Sequence, residues 1–323
     1  MRRQPRSWTL VWLSTASALT LVVAVSCSHD WDGYDPRLGA ASSSGSSAGT
    51  GGATSVGATT SGAVASSSSG SGGAGGAGPS DAGTDADADA AAPTYRDIIL
   101  GDGPLAYWRF GESQGPILAD ELGMHPGTAS LKGLTYGVSG LIAGDTAMSF
   151  DGQFSTINVA GGWDFAGLAP YSLEVWVKLV SETTSYPRII SKETKSGPRG
   201  GYSLLGGAPA DGGSPFFGNE RWENSNDILS VYFHGPVSPL QWTHVVARFD
   251  GDHGAIFVNG ALVNSYGTPA DAGLLVNSSA FLIGTDANLG SHFAGSLDEM
   301  AVYGKALTDL QIANHHAAGV AGL

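Results

Sequence analysis

Glu174, Asp298 and Glu299 are the side chains best suited to acid–base chemistry, and cleaving a glycosidic bond with retention takes two such carboxyls about 5 Å apart. Asp298 and Glu299 are neighbours in the chain, and a strand turns successive side chains to opposite faces, so they are not expected to converge. Glu174 shares its face with Trp176 and Lys178 rather than with a second acid. No strand-to-helix turn is predicted that could hold a serine strained for attack, and no glycine cluster opens a helix after a strand to cradle phosphate. Cys27 is the only cysteine, which excludes an internal disulfide and a zinc site built on thiolates.

Recognition chemistry is better served. The stretch Phe216-Phe217-Gly218-Asn219-Glu220-Arg221-Trp222-Glu223-Asn224 mixes aromatic faces with amide and charged hydrogen-bonding groups, which is what a sugar needs. Phe217, Arg221, Trp222 and Asn224 are the candidate ligand contacts. The competing reading is a plain strand, in which Phe217, Asn219 and Arg221 face one way and Phe216, Glu220 and Trp222 the other.

These residues sit far along a chain whose first ninety residues cannot build a core. Arg2, Arg3 and Arg6 precede an apolar run from Trp8 to Val25, the order of an export signal. Ala24-Val25-Ser26-Cys27 resembles the lipobox of bacterial lipoproteins, which implies cleavage before Cys27 and its lipidation. Ser28 after the cysteine favours outer-membrane sorting. Leu38 to Ala92 is mostly Ser, Gly, Ala and Thr, too poor in apolar surface to offset its ordering entropy. As a flexible coil it spans on the order of 40 Å. The expected organisation is a signal at 1–27, a disordered linker at 28–93 and one domain at 94–323. The location that follows is exported, anchored to a membrane through lipid alone, at the outer membrane or cell surface.

The formal net charge is −14. From Thr94 onward eleven bases face twenty-two acids. That balance argues against nucleic acid, which needs basic stripes, and leaves neutral glycans, cations and basic proteins as partners.

Within the domain, turn signals such as Asp151-Gly152, Asp250-Gly251 and Asn259-Gly260 separate short runs of β character, the pattern of an all-β sandwich or barrel. Leu173, Val175 and Val177 fall on one face of their strand and pack inward. Asn259-Gly260 predicts a type I′ hairpin before Ala261. One helix is legible after the linker, Leu307 to His316, with Thr308 as N-cap, Gln311 completing a capping box and Leu307 stapled to Ile312.

Six motifs in order carry a family resemblance. They are Leu105–Phe110; Asp120 with His125-Pro126-Gly127-Thr128; Ala147–Gly152; Tyr171–Val177; Trp242–Gly251 with Ile256–Gly260; and Phe293–Glu299. Together they resemble the laminin-G-like, concanavalin A-like jelly rolls. The resemblance implies a two-sheet antiparallel jelly-roll sandwich, ending in strands from Phe293 to Tyr303 and a helix that covers a sheet edge or joins the termini. It implies binding rather than catalysis, since the E-x-D-x-x-E and E-x-D-x-E patterns of laminarinase-type enzymes are missing. It also implies one structural calcium, for which Asp298 is the best carboxylate, with Asp120 and Asp151 as partners; the competing reading is that these acids stabilise turns or strand ends. It places His244 in the core; His315 and His316, about 100° apart on a helix, read as surface residues. Gly197 to Asp227 fits no block of the family.

The expected function is thus a cell-surface lipoprotein that displays a non-catalytic module for extracellular glycan or a surface protein. The alternatives are a divergent glycoside hydrolase with Glu174 or Glu299 as its acid, and an envelope spacer.

Overall fold

The computed structural model describes residues 92–180, 186–194, 196–208, 214–267, 273–274 and 276–322. The export signal, Cys27 and nearly all of the linker lie outside the described residues.

The described residues form two antiparallel sheets of eight strands each. In the first, β4 (Leu134–Ser139), β5 (Thr146–Asp151), β16 (Ala294–Tyr303), β7 (Tyr171–Leu179), β12 (Trp242–Phe249), β13 (His253–Val258) and β14 (Ala261–Gly267) lie side by side, with β1 (Ala106–Trp108) also paired to β16. In the second the order is β2 (Ile117–Leu118), β3 (Gly127–Ala129), β6 (Ile157–Val159), β15 (Phe281–Ile283), β8 (Arg188–Glu193), β9 (Gly201–Gly207), β10 (Phe216–Glu223) and β11 (Asn226–His234). Leu173, Val175 and Val177 of β7 meet Ile190, Leu204 and Phe217 of the second sheet in one apolar core. Each fully buried large apolar side chain there contributes about 2 kcal/mol. The stretch from Gly197 that matched no motif holds two of these strands, β9 and β10.

The predicted hairpin is present: Asn259 and Gly260 both take positive φ, 50° and 79°, as a type I′ turn requires. The predicted helix runs over Asp309–Ala321 (α2), with the Thr308–Gln311 capping box formed as expected. It packs against β14, an edge strand of the first sheet. It lies across the outward face of the first sheet, where Ile312 and Ala318 join Trp176, Val246 and Ala301 in a second apolar cluster.

A second helix, α1 (Tyr95–Gly101), shares that cluster through Tyr95 and Ile99 and has its own capping box, Thr94 with Asp97. The middle of the first sheet is therefore buried on both faces, and β7 is interior along nearly its whole length rather than on one side only. Helix and sheet approach closely at Gly319, where a Cβ would come to 2.4 Å from the Trp176 ring.

His315, expected at the surface, is fully buried under α2. Its neighbour His316 stacks on Trp176 with ring centroids 5.6 Å apart. The reason is the second buried face: a helix that lies flat on a sheet turns into it residues that a free helix would turn to water.

Candidate functional site

With helices on the first sheet, the outward face of the second carries a dense group of chemistry-bearing side chains. Strand alternation decides which residues of β10 reach it. Phe217, Asn219 and Arg221 turn inward and are 0% exposed. Two of the candidate ligand contacts, Phe217 and Arg221, thus lie inside the sandwich, out of reach of any ligand, as the plain-strand reading has it. The Arg221 guanidinium lies 3.8 Å from the centre of the Phe249 ring and donates to the Gly167 carbonyl at 3.0 Å. Asn224 is exposed in the β10–β11 turn. Trp222 is half-buried on the outward face.

Around Trp222 the register assembles a group that no local spacing announces. Trp222 pairs with Gly201, and Gly201 pairs with Glu193, so the three stand in line across β10, β9 and β8. Gly201 has no side chain, and the space between Trp222 and Glu193 takes the Arg199 guanidinium. Arg199 Nη2 lies 2.8 Å from Glu193 Oε1 and 2.6 Å from Glu220 Oε2. Arg188 Nη2 bridges the same two oxygens at 3.3 and 3.2 Å. The Trp222 indole donates to Glu220 Oε2 at 3.2 Å, and the Tyr232 hydroxyl donates to Glu220 Oε1.

Electrostatics follow from this geometry. Burial alone would raise the Glu220 carboxyl, but Arg188, the Tyr232 hydroxyl and Arg199 outweigh it and hold it below the usual range. Burial, with the Glu220 carboxylate beside it, pushes the Tyr232 phenol up. Two carboxylates matched by two guanidiniums form a charge-balanced ionic cluster rather than an acid–base pair.

Aromatic surface continues from this cluster. Tyr186, 56% exposed, meets Phe216 and Tyr232 edge-on, and Phe216 stacks on His234. On the other side a groove of about 560 Å3 is lined by Thr194, Ser196, Asn277, Ser278, Ser279 and Leu282. A second groove of about 450 Å3 shares Asn277 to Ala280 and reaches Asn158 and Asp164. The buried Lys192 ammonium pins this segment, bonding Asp164 Oδ1 at 2.9 Å and the carbonyls of Asn277 and Ser279 at 3.1 and 2.9 Å.

The carboxylates considered from sequence lie elsewhere. Glu174 is beneath the helices, between His244 (2.7 Å) and His315 (2.9 Å). Asp298 and Glu299 do not point to opposite faces as a regular strand would have it. Glu299 takes φ 49° in a bulge of β16, and both acids fall on the outward side of the first sheet, with Leu297 and Met300 turned into the core. Glu299 accepts from the Tyr107 hydroxyl and from Arg109, and burial raises its carboxyl to about 6. Asp298 Oδ2 accepts from the Leu141 amide at 2.7 Å. Burial first, then Glu299, raises the Asp298 carboxyl to about 8.

The trio proposed for calcium is not drawn together as a ligand set. Asp120 takes the amides of Tyr107, Leu122, Met124 and His125 and so shapes a turn. Asp151 Oδ1 takes those of Gln153, Phe154 and Ser155. Among the described residues no three His, Cys, Asp or Glu side chains are grouped so as to hold a metal ion.

Comparison with known proteins agrees with the architecture. No curated protein sequence matches the chain. Domain 4 of AbnA, an extracellular arabinanase from Geobacillus stearothermophilus solved with arabinotriose, superposes with a TM-score of 0.50 at 21% identity, over 65% of this chain and 97% of that one. The binding domain of Paraclostridial Mosquitocidal Protein 1 matches at 12% identity with a TM-score of 0.48, over 67% of this chain and 52% of that one, so this chain spans about half of it. The family model of the concanavalin A-like lectin/glucanases, laminin G type, matches residues 151–313, half of the chain. With its two antiparallel sheets and the motifs that line them, the chain belongs to the concanavalin A-like lectin/glucanase superfamily.

Proposed function

We propose that the domain is a non-catalytic recognition module that binds carbohydrate on the outward face of its second sheet. The observation that carries this reading is the juxtaposition there of Trp222, Tyr232 and Tyr186 with the ionic cluster and the amide- and hydroxyl-lined grooves. Ring faces suit the C–H faces of sugars, and fixed polar groups give orientation.

A hydrolytic role is disfavoured on physical grounds. A glycosidase needs one carboxyl kept protonated as acid near neutrality. On this face Glu220 is held ionised, and the acids with raised values, Asp298 and Glu299, are buried beside the opposite, helix-covered side. Exported, lipid-anchored display through Cys27 completes the proposal; it is supported by the order of charged, apolar and small residues at 1–27 and by the composition of the linker.

The test is a glycan-array screen of the purified chain, with arabinan and other oligosaccharides included, alongside Trp222→Ala. Saturable binding that Trp222→Ala abolishes while the variant melts like the parent supports the reading. Release of reducing sugar overturns it in favour of a hydrolase, and binding that survives Trp222→Ala places the ligand elsewhere.

A further inference from the structure

The ionic cluster contains two guanidiniums that are not equivalent. Arg188 is buried and fixed at a third point, its Nη1 donating to the Tyr186 carbonyl at 2.6 Å. Arg199 is the exposed member, with 28% of its side chain open to solvent. Its main chain is clipped to the β10–β11 turn, its amide donating to Ser225 Oγ at 2.9 Å and its carbonyl accepting from the Ser225 amide at 2.7 Å. The backbone is therefore held without the guanidinium, which is free to be displaced while the hairpin stays in place.

What the guanidinium occupies has the makeup of a receptor. One side is the Trp222 ring, 4.0 Å from Arg199 Cζ. The rim is Glu193 and Glu220, at 2.8 and 2.6 Å from Nη2. An aromatic face with carboxylates at its rim is how a cation is recognised at a protein surface. With Arg199 in place the two acids are neutralised by two bases; with Arg199 swung out, Arg188 alone leaves one negative charge beside an open ring. Thr194 and Ser196 of the same hairpin continue the lining into the larger groove, which offers hydroxyl and amide groups.

We propose that Arg199 stands in for the ammonium group of the ligand, and that the Trp222–Glu193–Glu220 cage is a subsite for a glycan carrying a free amine, a hexosamine that is not N-acetylated. This rests on the reading that the second sheet binds carbohydrate and names the sugar class for it. The ring receives the sugar's C–H face, the two carboxylates receive its ammonium, and the hydroxyl-lined groove receives the next residues. The net charge of −14 draws such a cationic chain toward the domain. Because the tethered Arg199 competes as a covalently held ligand, it weakens the binding of the free one.

Calorimetric titration of the whole chain tests this with three probes: glucosamine trimer, N-acetylglucosamine trimer and ethylguanidinium. The variants are Arg199→Ala, Arg199→Met, which keeps an aliphatic cover on Trp222 should the alanine variant fold poorly, and Glu220→Gln. Glucosamine trimer is expected to bind both Arg199 variants about tenfold more tightly than the parent, and more tightly than its acetylated counterpart, with the preference lost in Glu220→Gln. Ethylguanidinium is expected to bind the Arg199 variants and not the parent. Equal affinity for the amino and acetylated trimers overturns the cation subsite while leaving carbohydrate binding standing. Ethylguanidinium binding with no affinity for any oligosaccharide shows the cage but overturns its assignment to a sugar, and the proposed function with it.

Discussion

The His315 imidazole is locked to the Glu174 carboxylate, its Nδ1 2.9 Å from Oε2 and 3.0 Å from Oε1, where the C-terminal helix meets β7. The other ring nitrogen, Nε2, lies 2.8 Å from Asp102 Oδ2 at the end of α1. A carboxylate only accepts, so an imidazole with one at each nitrogen must carry both protons and a positive charge. Glu174 also takes His244 Nε2 at 2.7 Å. One chain of hydrogen bonds thereby joins both helices to two strands of the first sheet.

Stability should follow the charge state of this chain. Burial would lower the His315 value, but Glu174 and Asp102 outweigh it and raise it to about 9. A raised histidine contributes stability that is complete below its unfolded value near 6.5 and is lost as pH climbs through about 9. For Glu174 burial is outweighed by His315 and His244, which hold the carboxyl well below the usual range, so its share is present above about 4.5 and fades in acid. The share of His315 and Glu174 is expected to be level near pH 5–6.5 and to fall from there to pH 9.5, so the gap in melting temperature between the parent and a variant lacking His315 should hold over the first window and shrink over the second. His315→Gln should cost about 3–5 kcal/mol at pH 6 and flatten the alkaline limb. A parallel fall in parent and variant would show that the limb belongs to other groups.

Asp298 predicts a gain. Its carboxyl, raised to about 8 by burial and by Glu299, costs the folded state stability as pH rises from the ordinary carboxyl range toward that value. Asp298→Asn keeps an oxygen for the Leu141 amide and cannot ionise. Chemical denaturation at pH 8.5 should show it more stable than the parent by on the order of 2 kcal/mol, with a smaller difference at pH 5.

Gly319→Ala probes the helix–sheet contact. Its Cβ would meet the Trp176 ring at 2.4 Å and Leu141 at 3.1 Å, so α2 must lift or Trp176 must shift. Overpacking of this kind costs about 1–3 kcal/mol despite the better helix propensity of alanine. Urea titration should show the loss, with the binding proposed for the Trp222 face untouched.

Chelation should leave the domain unchanged. Asp120 spends both carboxylate oxygens and Asp151 its Oδ1 on backbone amides that hold their turns, and that work needs no cation. The melting temperature in excess chelator is expected to equal that in millimolar calcium; a rise with calcium would reveal a site built from other groups.

The sandwich was legible where the sequence repeats a physical rule locally. Leu173, Val175 and Val177 alternate with a period of two, Asn259-Gly260 tolerates two positive φ values, and Thr308 with Gln311 caps a helix. The short helix α1 carried the same kind of signal, Thr94 three residues before Asp97, but seven residues are too few for a hydrophobic period to show. The site was less legible. Of the nine-residue aromatic stretch, Trp222 reaches the outward face, while Phe217 and Arg221 obey the alternation and turn inward. Glu193, Arg199 and Glu220 meet through the register of β8, β9 and β10, and register is a relation between strands that no single run encodes. The bulge at Glu299 is hidden for a similar reason: glutamate does not advertise a positive φ.

The roof of helices over the first sheet gives the domain a back and a front. The described chain enters through Thr94 and α1 on the back, and α2, which ends the described chain, lies there too. With both described helices packed on the back, neither lies across the face that carries Trp222 and the grooves beside it.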